Sequence, residues 1–385
     1  MGPSVLLVTN EYPPEVTAGT ALSTRFLAEE LAARGHRVTV VVNSRRTAVA
    51  RETAGSLEVI RLRPLRVPLT RMAQRAALIV NIARRTRPDI IQGQSLSCGC
   101  LALVAGRALR IPSVVYVQGL DLYQSGPWAR RTYLRWALGH CDGVAAVTPD
   151  LQAKARALSG REGAVIPHGL RLQASHQLDR QAARAQTGLP QADQVVLFVG
   201  RLVALKGVVH LLGAMPRVLA ARPEARLVVV GDGEERPYLE QVARALHLTD
   251  RVSFVGAREH GEVIRYMRAA DVFVLPSLIE SFGIVLVEAM SCGLPIVASK
   301  VMGIPAVVED GVNGLLVPPG DEAALAAGMI RLLTDPAART QIADRNLEKA
   351  ADYVLPRIAD RFLALWRAAG AGPGPHNPSG WGARA

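Results

Sequence analysis

The stretch Val195-Val-Leu-Phe-Val199-Gly200-Arg201-Leu-Val-Ala-Leu-Lys206-Gly207 sets the fold of this chain. Its first five residues are all apolar, without the polar alternation of a half-exposed strand. Such a run predicts a strand covered on both faces, as in a parallel sheet flanked by helices. A loop bounded by glycines follows, and a helix is expected from Gly207 to Ala221. Strand, loop and helix in this order are the repeating half of a βαβ unit.

The same alternation extends outward in both directions. Downstream come Arg226–Val230, a helix near Arg236–Leu246, Val252–Val255, Val263–Ala270, Val272–Leu275, a helix over Phe282–Ser291, Ile296–Ala298, Ala306–Val308 and Leu315–Val317. Helices near Glu322–Leu333, Ala337–Ala351 and Pro356–Ala369 follow. Upstream, Val5–Thr9, Ala21–Arg34, Val38–Val42, Ile90–Ile91, Ser97–Leu109, Val114–Val117, Trp128–Leu138, Val144–Val147 and Ala164–Ile166 repeat the pattern. Ala174–Asp193 is polar, carries no strand-like run and reads as a connection. The expected fold is α/β: two Rossmann-like, doubly wound domains facing each other across a cleft, at 1–180 and 181–355. A helix at 356–370 is expected to pack back on the first domain, and the Gly- and Pro-rich 371–385 to be a disordered tail.

Length and composition agree with two domains. The chain has 385 residues, 49% hydrophobic and 20% charged, which excludes a disordered or fibrous polypeptide. Residues 1–180 hold 24 Lys and Arg against 12 Asp and Glu, whereas 181–385 hold 21 of each, so the first half carries the whole net charge of +12. That half should face an anionic partner: nucleic acid, an acidic membrane surface or a phosphorylated substrate. Four cysteines make no disulfide framework, and the Cys98-Gly-Cys100 spacing is not a zinc pattern. The N-terminus lacks the basic and apolar regions of a secretory signal, and no apolar run is long enough to span a bilayer. A cytoplasmic protein is expected, peripheral on the inner membrane face if it meets a membrane at all.

Chemistry should lie at the carboxyl ends of the strands. Gly200-Arg201…Lys206-Gly207 places a guanidinium fork and a mobile ammonium beside a helix N-terminus, a setting suited to phosphate. Glu280-Ser281-Phe282-Gly283 follows the strand Val272–Leu275, with Glu288 eight positions on in the next helix. The backbone N–H groups of Ser281 to Ile284 would form a second anion cradle, beside a carboxylate able to accept sugar hydroxyls. Gly19, before the first helix, and the turn Gly231-Asp232-Gly233 are weaker features of the same kind.

Taken in order, these motifs resemble a family. Gly19, Gly200-Arg201…Lys206-Gly207, Gly231-Asp232-Gly233, Ala270-Asp271, Pro276-Ser277, Glu280-x7-Glu288, Gly293-x-Pro295, Gly303 and Asp310-Gly311-x-Asn313-Gly314 are similar to those of retaining glycosyltransferases with two Rossmann domains (the GT-B fold, family 4-like). The resemblance implies a hexosyltransferase. Its second domain would bind a nucleotide sugar, a UDP-sugar ahead of a GDP-sugar, and its first an acceptor hydroxyl on a lipid, a polysaccharide or a small metabolite such as an aminocyclitol. Glu280, Arg201 and Lys206 would be catalytic, the two cations stabilising the leaving diphosphate. Gly19, Gly200, Gly231, Gly233, Ser281, Phe282, Gly283, Ile284 and Glu288 would bind the donor, with Glu288 on the ribose. No Asp-x-Asp signature is present, so neither a metal nor any other cofactor is expected.

Two departures bear on the acceptor side. Gln118, in Val117-Gln118-Gly119-Leu-Asp121, stands where the family often has His, and Gln cannot shuttle a proton. His168 stands where Asn is usual. Gln118, Asp121 and His168 are candidate contacts for sugar or acceptor, and His168 reads first as a loop or hinge residue. Eleven arginines fall in Arg45–Arg87 against Glu52 and Glu58, and the helical spacing of apolar residues from Leu69 to Arg85 suggests docking on an anionic bilayer. Nucleic-acid binding is disfavoured, because aromatics to stack bases are only 4% of the chain. A non-hydrolysing sugar-nucleotide epimerase shares the architecture and remains the alternative enzyme.

Overall fold

In a computed structural model the described residues are 2–16, 19–43, 50–63, 71–119, 122, 128–171 and 177–372. The chain divides into two units: residues 1–169 with 355–385, and Leu170–Val354. The second unit thus begins at Leu170 rather than at 181.

The first unit runs β1 (Val5–Thr9), α1 (Gly19–Ala33), β2 (Val38–Asn43), β3 (Ala50–Ala54), β4 (Leu57–Leu62), α2 (Arg71–Thr86), β5 (Ile90–Gly93), α3 (Leu96–Leu109), β6 (Ser113–Val117), α4 (Trp128–His140), β7 (Gly143–Ala146), α5 (Pro149–Ser159) and β8 (Ala164–Val165). Its sheet order is β3-β4-β2-β1-β5-β6-β7-β8, parallel except for the edge strand β3. Every residue of β1, β5 and β6 is buried, the polar Thr9, Gln92 and Ser113 included, as expected of central strands covered on both faces. Chain order reverses between β1 and β5, which makes the carboxyl ends of these two strands the place for a ligand.

The second unit runs α6 (Arg180–Thr187), β9 (Gln194–Val199), α7 (Val208–Ala221), β10 (Ala225–Val230), α8 (Arg236–Ala245), β11 (Val252–Gly256), α9 (His260–Ala269), β12 (Val272–Leu275), α10 (Ile284–Ser291), β13 (Ile296–Ser299), β14 (Leu315–Val317), α11 (Glu322–Thr334) and α12 (Pro336–Ala350). The parallel sheet has the order β11-β10-β9-β12-β13-β14, with its switch point between β9 and β12. The last helix, α13 (Leu355–Ala368), belongs to the first unit. There Trp366 is fully buried and its indole N–H donates to Gln92 Oε1 at 2.6 Å. Residues 373–385, most of the expected tail, lie outside the described residues.

Long-range contacts explain three features of the sequence. The polar Ala174–Asp193 contains α6, capped by Asp179, whose side chain accepts from Ala182 N, and closed by Gly188 in the left-handed region. Its Arg184 is buried against Asp271, Nη2 to Oδ2 2.8 Å, and Asp271 also accepts from Val195 N at 2.8 Å. Asp271 therefore braces the start of β9. The Asp310–Gly314 turn is likewise structural: Asn313 is buried, its amide reaching Asn346 Oδ1 at 3.1 Å. Finally, Arg61 in the arginine-rich stretch is enclosed on β4, with Nε on Glu52 Oε1 at 2.9 Å and Nη2 on the carbonyl of Pro13 at 2.5 Å. It cannot serve an external surface.

Candidate functional site

The β9/β12 switch point brings together, within the second unit, the motifs expected to bind a donor. β9 ends at Val199, and Gly200 N donates to Val230 O at 3.0 Å. Leu202 is buried, and its backbone closes on the Gly231–Glu235 turn: its N–H donates to Asp232 O at 2.9 Å and its carbonyl accepts from Glu235 N at 3.0 Å. Gly200, Gly231 and Gly233 are thus packed backbone to backbone. They shape the strand ends, and Arg201, exposed between them, is the group held at the rim.

A single 3₁₀ turn, Ala204–Lys206, then brings Lys206 round to β12. Gly207 caps that turn at φ 64°, where a side chain would be strained and would overlap the carbonyl oxygen of Pro276. This close approach lets Leu278 N donate to Leu205 O at 2.9 Å, stitching the two loops together. Lys206 Nζ meets Glu280 Oε2 at 2.5 Å, with 23% and 14% of the two side chains exposed. An ammonium has three donors, so this contact leaves two of them for phosphate oxygens.

Glu280 begins the loop into α10. Gly303 N donates to Glu280 O at 3.0 Å, and a methyl on Gly303 would overlap Ser281 O, so only glycine lets β13's loop close against the donor loop. Phe282 is buried, with its ring 6.0 Å from that of Tyr353, and points into the core while its backbone stays on the loop. Gly283, at φ 80°, caps α10, and Ile284 opens it. Ser277, fully buried in the same loop, has no partner for its hydroxyl among the described residues.

Glu288 lies on α10, half a helix past the loop, and His260 Nε2 contacts its Oε1 at 2.8 Å. His260, at the first turn of α9, escaped the sequence reading: its partner lies in another βα unit, and no local pattern marks it. The turn is fixed by Glu262, which accepts from Glu259 N at 3.3 Å. Holding one carboxylate oxygen this way leaves the other for a diol.

The acceptor-side residues lie in the first unit. Gln118 follows β6, is 5% exposed, and donates from Nε2 to Gln94 Oε1 at 2.6 Å. Gln94 follows β5, also buried, and its own Nε2 has no partner among the described residues. Beside it Ser95 caps α3, and Ser97 accepts from Asn10 Nδ2 at 3.1 Å. The carboxyl ends of β1, β5 and β6 thus present amides and hydroxyls. Gly19 opens α1 and is exposed there, while Asp121 lies outside the described residues. His168 is not a surface loop residue: it is 3% exposed, Nδ1 lies 2.8 Å from Ser23 Oγ, and its ring stands edge-on to Tyr116. Burial lowers its pKa to about 3, so it is neutral. Among the described residues, no group of three His, Cys, Asp or Glu side chains could hold a metal ion.

Comparison with known proteins places this geometry. The family model described as "Glycosyl transferases group 1" matches residues 179–349, and that described as "Glycosyltransferase Family 4" matches residues 17–174. An alpha-D-kanosaminyltransferase of Streptomyces kanamyceticus is 33% identical over 281 residues, 69% of this chain and 72% of that protein. The chain belongs to the group 1 glycosyltransferases. Another relative of this glycosyltransferase, a D-inositol 3-phosphate glycosyltransferase of Segniliparus rotundus, is 38% identical over 209 residues. That match takes in 53% of this chain and 46% of the relative's length. Among solved structures, the sucrose-phosphate synthase of Thermosynechococcus elongatus superposes with a TM-score of 0.80 at 27% identity, covering 94% of this chain and 98% of the other. Two Rossmann-like units are the common architecture.

Proposed function

We propose that this glycosyltransferase moves a hexose from a nucleoside-diphosphate sugar to an acceptor hydroxyl with retention of anomeric configuration. The observation that carries the reading is the Lys206–Glu280 pair at the β9/β12 switch point. It sets a cation for the leaving diphosphate next to a carboxylate for the sugar hydroxyls. Arg201 adds a second cation at the rim, and the N–H groups at the start of α10 add a partial positive charge. As the glycosidic bond to phosphate breaks, negative charge grows on the diphosphate, and these fixed groups stabilise it without reorganising. Glu288, held by His260, takes the ribose hydroxyls. A uridine donor is expected ahead of a guanosine donor.

The acceptor is assigned to the carboxyl ends of β1, β5 and β6. Gln94 and Gln118 are neutral hydrogen-bonding groups and cannot take up the acceptor's proton. The proton passes instead to an oxygen of the departing diphosphate, which keeps the new bond on the face the old one left.

Glu280→Gln and Lys206→Ala test the assignment. Each is expected to lower turnover by roughly a hundred-fold or more while leaving the melting temperature nearly unchanged, since the pair is partly exposed. Near-normal turnover in either removes the site. Nucleoside diphosphate released in step with glycoside formation supports transfer, whereas interconversion of nucleotide sugars without its release supports an epimerase. The anomeric coupling constant of the product decides retention.

A further inference from the structure

We propose that the outer face of the helical layer α2–α3–α4 in the first unit docks on an anionic lipid bilayer. Three helices in succession, residues 71–86, 96–109 and 128–140, contain eight arginines and no Asp or Glu. They form one layer. Ile79, Ile82 and Ala83 of α2 share a buried cluster with Leu101, Ala102 and Ala105 of α3, and Ala137 and Tyr133 of α4 pack on Cys100 and Leu103. Successive right-handed crossovers to β5, β6 and β7 keep the three helices on one side of the sheet. What remains outside is therefore a common surface.

That surface is both basic and apolar. Arg84, Arg85, Arg107 and Arg135 are exposed on it. So are Met72 (41%), Leu78 (36%), Val104 (39%) and Trp136 (40%), four of the ten exposed large apolar side chains among the described residues. Arg85 is shared with Glu58 of β4 at 3.1 Å. The opposite layer shows the contrast: on α1 Arg25 pairs with Glu29, and just past its end Arg34 pairs with both Glu30 and Asp360 of α13. Arginines there are neutralised within the fold, whereas the α2–α4 layer holds no carboxylate of its own. Charge without apolar groups would suit any polyanion; side chains able to enter the acyl boundary alongside arginine suit a bilayer of acidic lipid. The surface differs from the linear stretch Arg45–Arg87. Arg61 is excluded by its burial, and Val104, Arg107, Arg135 and Trp136 are added from outside that stretch.

Sedimentation of the full chain with vesicles tests this without donor or acceptor, so its outcome is independent of the transferase reading. Binding is expected to vesicles containing phosphatidylglycerol, to weaken steeply as salt rises, and to be lost on phosphatidylcholine alone. The double variant Arg84→Gln/Arg135→Gln should weaken binding roughly thirty-fold. Leu78→Ser/Trp136→Ser should weaken it at least several-fold and abolish the vesicle-induced shift in tryptophan emission. Arg331→Gln/Arg345→Gln, with the same charge change on α11 and α12, should bind as the unaltered protein does. Absent binding, equal binding to neutral vesicles, or full binding by both surface variants overturns the proposal. So does duplex DNA binding that matches vesicle affinity and is indifferent to Leu78→Ser/Trp136→Ser, which assigns the arginines to a nucleic acid.

Discussion

Replacing His168 with Asn should flatten the acid side of the stability profile by an amount the structure sets. The imidazole is enclosed in the first unit, and its burial lowers the pKa from 6.5 to about 3. An unfolded chain exposes the same ring to water and takes up a proton near 6.5. Between these values the unfolded state binds more protons than the folded state, so stability falls as pH falls. The contribution is complete above the unfolded value, declines through the window from 6.5 downward, and is gone near 3. From about pH 7.5 to about pH 5 the loss amounts to about 2 kcal/mol, at about 1.4 kcal/mol per pH unit once below the unfolded value. For a unit of this size that is a fall of about 4–8 °C in melting temperature. Asn cannot titrate, so the drop for His168→Asn over the same interval should be smaller by that amount, whatever its stability at neutral pH. Thermal unfolding followed by circular dichroism, or by calorimetry resolving the first unit, measures the difference. Parallel pH profiles for the two proteins would refute the argument and show that the folded protein leaves His168 open to water.

Two further outcomes follow from contacts in the second unit. His260→Ala should raise the KM for the donor about five-fold with kcat nearly constant, the worth of one hydrogen bond to Glu288, and His260→Gln should recover part of it; steady-state kinetics showing an unchanged KM would sever His260 from donor binding. Gly303→Ala forces a methyl against Ser281 O, so a loss of about 1–3 kcal/mol in stability and a disproportionate loss of turnover are expected; thermal shift and kinetics matching the unaltered protein would show that the donor loop does not depend on this packing.

The loops proposed to hold the donor were legible in the sequence because they are local. A strand, its exit loop and the next helix N-terminus are contiguous, so Arg201, Lys206, Glu280 and Glu288 could be placed by counting along the chain. Residues whose meaning is a long-range contact were not. His260 and Glu288 are separated by a whole βα unit, and Arg184 meets Asp271 across 87 positions. Arg61 looked like its neighbours in an arginine-rich run, yet strand alternation on β4 turns it inward onto Glu52. β3, Ala-Arg-Glu-Thr-Ala, has Thr53 as its one β-branched residue and no large apolar side chain, and it pairs antiparallel on the edge that β4 offers. For α6 the cap signals Asp179 and Gly188 were present, but its polarity outweighed them, since its burial comes from packing on α9.

The parallel bridge between Leu170 and Val354, with Leu170 N donating to Tyr353 O at 2.6 Å, brings the two ends of the second unit together. In the linear chain that unit is an insertion: the first unit opens the polypeptide, is interrupted, and is completed by α13. Synthesis therefore finishes the second unit before the first has its Trp366, and an isolated fragment ending at 169 would expose the side of the sheet that α13 covers. The adjoining ends also make Leu170–Val354 a natural cassette. Exchanging it with the equivalent segment of a relative needs only two neighbouring junctions, leaves α13 on the first unit, and would carry with it the donor preference proposed for this unit.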